Sequence, residues 1–416
     1  MTGVSLFSGS SVNQWGSGNL PAGVRHFNLG NDETKFPLRE IRRLLGIPWK
    51  LRPDVALLPS YDHWSLALNA ATRLTGGRLV MMNDTHAGTA RARGLKAAFK
   101  QRIVAGFHAG FVAGAPQHRY FTSLGLPPEK IFTGYDAVDN DYFASQAATI
   151  RSRASEVRQQ YDLPEHYFLS LGRFVAKKNL TILIQAYRKF LAANLDSQTH
   201  LVMVGSGEEE TALRTLCREL GLPVYEKKGA GGTDDVKPRT HGLPPGVHFY
   251  GFRKIEENPV FYALADAFIL PSLWEEWGLV VNEAMASGLP VVVSETAGCA
   301  EDLVPPGRLT MPVQLSADFA RRLSRFVGRI RKNGFVFNPK SVESLADALI
   351  LLATASDLRQ QMGKASCELV RQFSCENFAK KALLAARIAL GREVVSVSPA
   401  VSPAETPVDL VGKLLP

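Results

Sequence analysis

Residues 266–294 read DAFILPSLWEEWGLVVNEAMASGLPVVVS, and this stretch decides the fold class because a strand-like run is followed by a helical pattern and a second strand-like run. In a parallel α/β sheet, ligands collect at the carboxyl ends of strands, where the following helix presents free backbone N–H groups. If a helix begins near Gly278, its first amides can bind a diphosphate, with Glu283 on its second turn and Glu275 on the preceding loop. A simpler alternative is that these acidic residues only complement the helix dipole. The whole stretch in this strand context favours a site for a sugar nucleotide.

Short apolar runs alternate with helical patterns along the rest of the chain, which is the βαβ signature of a parallel sheet. In chain order the runs are VRHFNL, DVALLPS, LVMMND, AGFVAGA and KIFTGY, then YFLSLG, LVMVGS, VHFYG, DAFILP, PVVVSE and GFVFNP. The pattern predicts an α/β protein in which two Rossmann-like domains face one cleft, with ligands at its rim. We assign residues 1–150 to the first domain, 151–391 to the second and 392–416 to a disordered tail. Residues 1–20 also read as poorly ordered, and residues 226–246 read as an exposed loop.

The gross composition restricts the class of protein. With 416 residues the chain has room for two domains, and 45% hydrophobic with 21% charged residues is typical of a soluble globular protein. No apolar run approaches the roughly 18 residues that a membrane span needs, and the amino terminus lacks the pattern of a secretory signal. The 4 cysteines show neither metal-ligand spacing nor a disulfide framework. We therefore expect a cytoplasmic protein.

Two basic segments stand out against the net charge of +9. Residues 305–333 carry seven Arg or Lys against Asp318 alone, and apolar residues recur there at helical spacing, namely Phe319, Leu323, Phe326, Val327 and Ile330. Residues 91–102 contain a second run, made of Arg91, Arg93, Lys96, Lys100 and Arg102. Such segments are suited to peripheral contact with the inner face of an anionic membrane, or they are solvated surface of their own domain. Nucleic acid is not expected, because neither run has interleaved aromatic residues.

Candidate catalytic residues follow the ends of two predicted strands. Arg173 and Lys178 come after the strand FLSLG and its Gly172, where two cations would neutralise a diphosphate and stabilise it as a leaving group. A basic loop in water is the alternative. His86, in NDTHAG after the strand LVMM, can act at the reacting sugar or be structural.

Several of these motifs resemble a known enzyme family. The runs GRFVAKKNLTILIQAY, LVMVGSGEEE, VHFYGF, ADAFILPSLWEEWGLVVNEAMASGLPVVVSETAGCAEDLV and NGFVFNP are similar, in order and spacing, to the donor-binding half of the retaining glycosyltransferases of family 4. The likeness covers roughly residues 165–391, and its E-x7-E pattern encloses the pair Trp277 and Gly278. The first half is similar through RPDVALLPSY, the basic run after NDTHAG and LGLPPEKIFTGYDAVDNDYF.

The resemblance implies a GT-B fold and transfer of a hexose from a nucleotide sugar with retention of configuration, to a saccharide or polyprenol-linked acceptor in polysaccharide or glycoconjugate biosynthesis. By the same likeness, Arg173 and Lys178 bind the donor diphosphate, Glu283 binds the ribose and Glu275 contacts the transferred sugar. Amides around Gly278, Leu279 and Val280 meet the phosphate and sugar. Related enzymes need no metal or other cofactor, so none is expected here.

The chain departs from the family pattern at its start. Members normally begin with a strand and a glycine-bearing loop, and residues 1–30 contain no equivalent, so we expect a first domain short by one βα unit. This leaves two alternatives to a transferase. One is a sugar-nucleotide epimerase on the same fold, and the other is a protein that binds the donor without turnover.

Overall fold

We analysed the fold in a computed structural model of the chain. The structure describes residues 2–5, 25–28, 38–58, 63–90, 94–226, 242–307 and 329–392. The predicted tail at 392–416 lies outside these ranges except for its first residue, as do most of the predicted loop at 226–246 and most of the basic segment at 305–333.

The second domain is built on a sheet of eight strands in the order β13-β14-β12-β11-β7-β8-β10-β9. In chain order the strands are β7 (Tyr167–Leu171), β8 (His200–Val204), β9 (Val224–Glu226), β10 (Val247–Phe249), β11 (Ala267–Leu270), β12 (Val291–Ser294), β13 (Arg329–Arg331) and β14 (Gly334–Phe337). All neighbours pair in parallel except β13 with β14. Strands β11 and β12 are buried along their whole length, which explains their continuous apolar sequences.

The first domain has a parallel sheet in the order β3-β4-β5-β6. These strands are β3 (Val55–Leu58), β4 (Arg78–Asn83), β5 (Ala109–Val112) and β6 (Ile131–Thr133). A separate parallel pair is formed by β1 (Thr2–Ser5) and β2 (Arg25–Asn28). The α/β class and the two Rossmann-like domains are therefore confirmed.

Helices cover the sheets and alternate with the strands. In the first half they are α1 (Leu38–Leu51), α2 (His63–Leu74), α3 (Leu95–Val104), α4 (Ala115–Ser123), α5 (Asn140–Ser152) and α6 (Ala154–Tyr161). In the second half they are α7 (Leu180–Ala193), α8 (Glu210–Glu219), α9 (Asn258–Leu264), α10 (Leu279–Ala286), α11 (Ala300–Leu303), α12 (Val342–Thr354), α13 (Ser356–Val370) and α14 (Cys375–Ala389).

Three expectations from the sequence need correction. A strand exists at residues 2–5, where the polar sequence TGVS indicated none, because pairing with β2 rather than an apolar pattern defines it. Arg329–Arg331 form strand β13 and do not continue the predicted basic helix, since they pair with β14 at the sheet edge. Lys100 is not a surface cation of the run at 91–102: it is buried, with Nζ 2.8 Å from the hydroxyl of Tyr120.

The chain crosses between the domains twice. Helix α5 lies mostly before residue 151 but packs on α9 and α10 of the second domain. Helix α14 lies in the range assigned to the second domain but packs on β4, β5 and β6 of the first. The two crossings meet at a parallel bridge between Val138 and Ser374, and the Asn140 side chain donates to the backbone oxygen of Val370 at 3.1 Å.

Helix α14 completes the core of the first domain. Its Ala385 and Ala389 are buried in one cluster with Val80, Ala109 and Phe111 of the sheet. Because the helix comes from the far end of the chain, the first domain depends on residues more than two hundred positions away from its strands.

We expect Ala385→Asp to lower stability by about 3 kcal/mol or more, because an unpaired carboxylate would be buried against β5. Ala379→Asp, at an exposed position of the same helix, serves as the control and changes stability by less than about 0.5 kcal/mol. Urea unfolding followed by circular dichroism measures both. Equal midpoints for the two variants would show that α14 does not complete this core.

Candidate functional site

The helix predicted at Gly278 is present. Gly278 has φ 110° and caps α10, which begins at Leu279. This is the left-handed region that favours glycine, and a Cβ here would lie 2.9 Å from Cδ2 of Leu270. Glu283 falls on the second turn of α10 and Glu275 on the preceding loop, as expected. The first amides of this helix therefore open onto the carboxyl ends of β11 and β7, which are adjacent in the sheet.

The loop between β11 and α10 is held by hydrogen bonds on its backbone. The oxygen of Ser272 accepts from the hydroxyls of Ser294 at 2.6 Å and Thr296 at 3.2 Å. The oxygen of Glu275 accepts from the amide of Gly298 at 3.0 Å, and the amide of Leu273 donates to the oxygen of Lys177 at 2.8 Å. The position of the Glu275 side chain is thus set by fixed backbone on both sides.

The Glu275 carboxylate lies between two lysines. Its Oε2 is paired with Nζ of Lys178, and its Oε1 lies 3.4 Å from Nζ of Lys177. Lys177 also contacts Oε2 of Glu276 at 2.8 Å. The hydroxyl of Ser272 donates to Oε2 of Glu275 at 3.3 Å. Two cations thus compensate a carboxylate whose side chain is only 10% exposed, in a setting where an unpaired charge would be costly.

The same ion pairs shift two pKa values. Burial lowers the pKa of Lys177, but the hydrogen bond to Glu276 and the charge of Glu275 outweigh it, so the pKa is raised. Burial raises the pKa of Glu276, but its contacts with Lys177 outweigh that effect and the pKa is lowered. Both groups therefore remain charged near neutral pH.

Gly172 and Arg173 lie beside Lys178, as predicted from their place after β7. A small crevice is lined by Ser170, Leu171, Gly172, Arg173, Phe174, Lys178, Leu180, Leu270 and Pro271. Arg173 is exposed and forms no ion pair with any residue in the described ranges. The amide of Phe174 donates to the oxygen of Ser206 at 2.9 Å, so the glycine-rich turn after β8 supports this loop. The structure brings Gly172, Arg173 and Lys178 together at one sheet edge.

Glu283 is placed differently from these residues. It is only 5% exposed, lies among the buried residues of α10 and accepts a hydrogen bond from the hydroxyl of Tyr262 at 2.8 Å. Burial raises the pKa of its carboxyl to about 7, against the opposing effect of the Tyr262 hydroxyl. Glu283 does not line the crevice at Arg173 and Lys178.

His86 lies at the seam between the domains. Its Nδ1 accepts from the amide of Gly88 at 3.2 Å, and its Nε2 is 3.0 Å from the backbone oxygen of Glu275. Since an amide can only donate, Nδ1 is the acceptor and Nε2 carries the proton that is donated to Glu275. His86 is therefore next to the candidate site, but both of its ring nitrogens are bonded to backbone.

The first domain contributes further contacts to the same loop. The Gln117 side chain is fully buried, and its Nε2 donates to the oxygen of Asp84 at 3.0 Å and of Glu276 at 2.7 Å. The amide of Ala115, at the start of α4, donates to Asp302 at 3.0 Å. Burial raises the pKa of Asp302 to about 6, against this hydrogen bond. The amino end of α4 is thus satisfied by a carboxylate of the other domain.

Two further carboxyls stand where the strands of the first sheet end. Burial raises the pKa of Asp136, after β6, to about 7, and the charge of Asp84 adds to the effect. Burial also raises the pKa of Asp84, after β4, with further contributions from Glu276 and Glu275. Lysines therefore compensate Glu275 and Glu276, whereas burial disfavours ionisation of Asp84 and Asp136 at the ends of the first sheet.

Sequence analysis missed three of the residues that build this site. Lys177, Glu276 and Gln117 were not singled out, although the doubled pairs in AKK and WEEW are visible in the sequence. The signal for Lys177 and Glu276 is weak because two adjacent identical residues do not reveal which one faces the cleft. Within the described ranges, no cluster of three or more His, Cys, Asp or Glu is arranged to hold a metal ion. No helix in the same ranges is long and apolar enough to cross a membrane.

The raised pKa of Glu283 generates a pH dependence with a definite sign. The folded protein holds this proton more tightly than the unfolded chain, so stability from this group is greatest below pH 4.5 and falls as the pH rises from 4.5 to about 7. The loss is on the order of 3 kcal/mol. Glu283→Gln removes it, because the amide oxygen still accepts from Tyr262. Its stability relative to the parent protein should therefore rise between pH 4.5 and 7.5.

Urea unfolding at several pH values measures this difference, with the exposed Glu219→Gln as the control. If the Glu283→Gln and parent curves run parallel from pH 4.5 to 7.5, the carboxyl is not buried as described.

Known proteins that resemble the chain fall into one group. The sequence model of the family described as "Glycosyl transferases group 1" matches residues 165–355. Mannosylfructose-phosphate synthase of Agrobacterium fabrum is 29% identical over 175 residues, which are 42% of this chain and 32% of that protein. O-antigen chain mannosyltransferase B of Escherichia coli is 28% identical over 198 residues, or 47% of this chain and 45% of that protein. The chain thus spans less than half the length of these relatives.

Solved structures agree on the fold. A glycosyltransferase from Rickettsia africae ESF-5 superposes with a TM-score of 0.64 at 17% identity, over 89% of this chain and 86% of that one. HepE of Anabaena, in complex with UDP-glucose, gives a TM-score of 0.58 at 17% identity, over 87% and 85%. Residues 165–355 are therefore similar to the glycosyl transferases group 1 family, and the chain has the GT-B fold of two Rossmann-like domains that face a central cleft.

Proposed function

We propose that the protein transfers a hexose from a nucleotide sugar, with retention of configuration, to a saccharide or polyprenol-linked acceptor in polysaccharide or glycoconjugate biosynthesis. One observation carries this proposal: Arg173, Lys178, Glu275 and the start of α10 at Gly278 meet at the carboxyl edge of the second sheet. The names of its relatives, which include an O-antigen mannosyltransferase, and a fold neighbour that binds UDP-glucose support the same substrate class.

The donor diphosphate would occupy the crevice at Gly172 and Arg173. There Arg173 and Lys178 can donate to it. The amides of Gly278, Leu279 and Val280, at the start of the helix after the adjacent strand, would donate to its phosphate from outside the crevice lining. As the bond to the anomeric carbon lengthens, negative charge grows on the departing phosphate. Donors fixed before the reaction then stabilise the transition state more than the ground state. The charge comes from the protein's own cations, and we propose that no metal is required.

The transferred sugar would lie against Glu275, whose carboxylate can accept from its hydroxyls. His86 of the first domain donates to the backbone oxygen of the same residue and therefore lies close to that position. For His86 to act on the sugar directly, Nε2 would have to exchange its backbone partner for a substrate hydroxyl. In this proposal the departing phosphate takes the acceptor proton, which gives attack from the same face. For Glu283 to bind the ribose, its carboxyl would have to turn from the Tyr262 hydroxyl towards the start of α10.

Two alternatives make different predictions for product analysis. An epimerase converts the nucleotide sugar without an acceptor, so incubation with donor alone yields an isomer of the donor. A protein that only binds the donor yields neither transfer, hydrolysis nor isomer. The transferase is favoured over both by the names of the relatives, which include an O-antigen chain mannosyltransferase.

Donor binding is tested first by thermal shift with UDP-glucose, GDP-mannose and ADP-glucose. A donor at about 100 times its Kd stabilises the folded protein by about 2.7 kcal/mol. Lys178→Met and Arg173→Met should then lower kcat/KM for the selected donor by about 10²- to 10³-fold each, as removal of an oxyanion donor does. Lys189→Met, an exposed lysine paired with Glu343, is the matched control. Wild-type rates in both variants would exclude the crevice as the diphosphate site.

The acceptor side suggests contact with a membrane surface, and we propose it for helix α3. Leu95 is 90% and Phe99 62% exposed on this helix, one turn apart. The basic side chains of Lys96 and Arg102 are exposed on the same helix. Phe99 and Arg102 line an open groove that Arg73 of helix α2 also lines. An apolar pair framed by cations matches an anionic bilayer surface, where a polyprenol-linked acceptor is held.

We expect the protein to sediment with vesicles that contain phosphatidylglycerol and to be released by 0.5 M salt. Leu95→Ser with Phe99→Ser should weaken this binding about tenfold or more, because two apolar side chains no longer enter the bilayer. Leu195→Ser, at an equally exposed leucine of the second domain, controls for general surface hydrophobicity. Failure of the parent protein to bind these vesicles would refute the membrane contact.

A further inference from the structure

We infer that Lys177 is a positioning residue for the donor sugar. It keeps the Glu275 carboxylate in place when Lys178 leaves that carboxylate for the donor diphosphate. This inference rests on the proposed function and assigns a role to a lysine that the family resemblance does not mark. It starts from an ion-pair network in which one carboxylate is shared by two adjacent lysines.

The two lysines are not equivalent in their contacts. Lys178 lines the crevice with Gly172 and Arg173, and its ion pair within the described ranges is with Glu275 alone. Lys177 does not line the crevice and bridges two carboxylates, Glu275 at 3.4 Å and Glu276 at 2.8 Å. A diphosphate in the crevice therefore competes for Lys178, while Lys177 keeps its partners on the loop.

The backbone holds Lys177 and Glu276 in this relation. The oxygen of Lys177 accepts from the amide of Leu273, so the lysine is tied to the same loop that carries both glutamates. The backbone oxygen of Glu276 accepts from the buried amide of Gln117. A Cβ on Gly298 would collide with the same oxygen, so Glu276 has little room to shift. Lys177 thus pairs with carboxylates on a fixed loop.

The exchange of partners has a consequence at each oxygen of Glu275. Lys177 contacts Oε1, whereas Lys178 and the hydroxyl of Ser272 contact Oε2. When Lys178 moves to the diphosphate, Oε2 becomes available to hydroxyls of the sugar. Lys177 still compensates the charge and holds the carboxylate by Oε1. Without Lys177, the carboxylate would lose both cations at the moment of donor binding, which is costly at its low exposure.

The test separates recognition of the sugar from recognition of the diphosphate. The variants are Lys177→Met, Lys177→Arg and Glu276→Gln, with Lys178→Met for comparison and Lys189→Met as the surface control. The probes are UDP with UDP-glucose, or GDP with GDP-mannose, whichever pair gives the larger thermal shift with the parent protein. Calorimetry gives the Kd of each diphosphate and each nucleotide sugar, and initial rates give kcat and KM.

For Lys177→Met we expect the Kd of the nucleoside diphosphate to change less than about threefold, whereas kcat/KM for the nucleotide sugar falls by about 10- to 100-fold. Lys177→Arg should restore most of the loss, and Glu276→Gln should show a weaker form of the same pattern. Lys178→Met, in contrast, should weaken binding of the diphosphate itself. The ratio of the Kd of the diphosphate to the Kd of the nucleotide sugar should fall in Lys177→Met. This ratio can be measured even where turnover is too slow to follow.

Three results would overturn the inference: Lys177→Met behaves like Lys189→Met, it weakens the diphosphate as much as Lys178→Met does, or Lys177→Arg rescues nothing. The last two would mean that Lys177 binds the diphosphate or only supports the fold. A parent protein that binds none of the diphosphates would overturn the proposed function, and the inference with it. If the parent protein binds a diphosphate and Lys177→Met keeps the parent's affinity for the nucleotide sugar, the inference alone is overturned.

Discussion

Compensation of the buried Glu275 carboxylate is the interaction on which the rest of this site depends. A carboxylate at this exposure is tolerated only because two ammonium groups and a hydroxyl surround it. Those ammonium groups lie after β7 and the carboxylate lies after β11, so the ion pairs join the loops of two adjacent strands. The lysines therefore add positive charge at the carboxyl edge of the second sheet. Their ion pairs also help to fix the orientation of the loop that carries Glu275.

The backbone of the same loop also joins the domains. His86 and Gln117 of the first domain donate to the backbone oxygens of Glu275 and Glu276, so the loop that carries both glutamates is bonded to the first domain through its main chain. The main chain of the loop thus contacts the first domain, while its two carboxylates contact the lysines of the second. A displacement of the first domain would therefore act directly on the backbone of Glu275 and Glu276.

Much of the fold and about half of the site could be derived from the sequence, for physical reasons that differ from residue to residue. The strands with continuous apolar sequences, the helix start at Gly278 and the places of Arg173 and Lys178 follow from local patterns and from the rule that ligands gather at strand ends. Lys177 could not be separated from Lys178 without knowing which one faces the loop. Short strands such as β13 are defined by pairing and carry no pattern of their own. The buried setting of Glu283 and the backbone partners of His86 depend on packing between distant segments.

The bridge between Val138 and Ser374 has a mechanical consequence. Two chain segments run side by side from one domain to the other, and a hydrogen-bonded pair resists twisting while it still bends. A change of angle between the domains therefore has to bend both segments together rather than one alone.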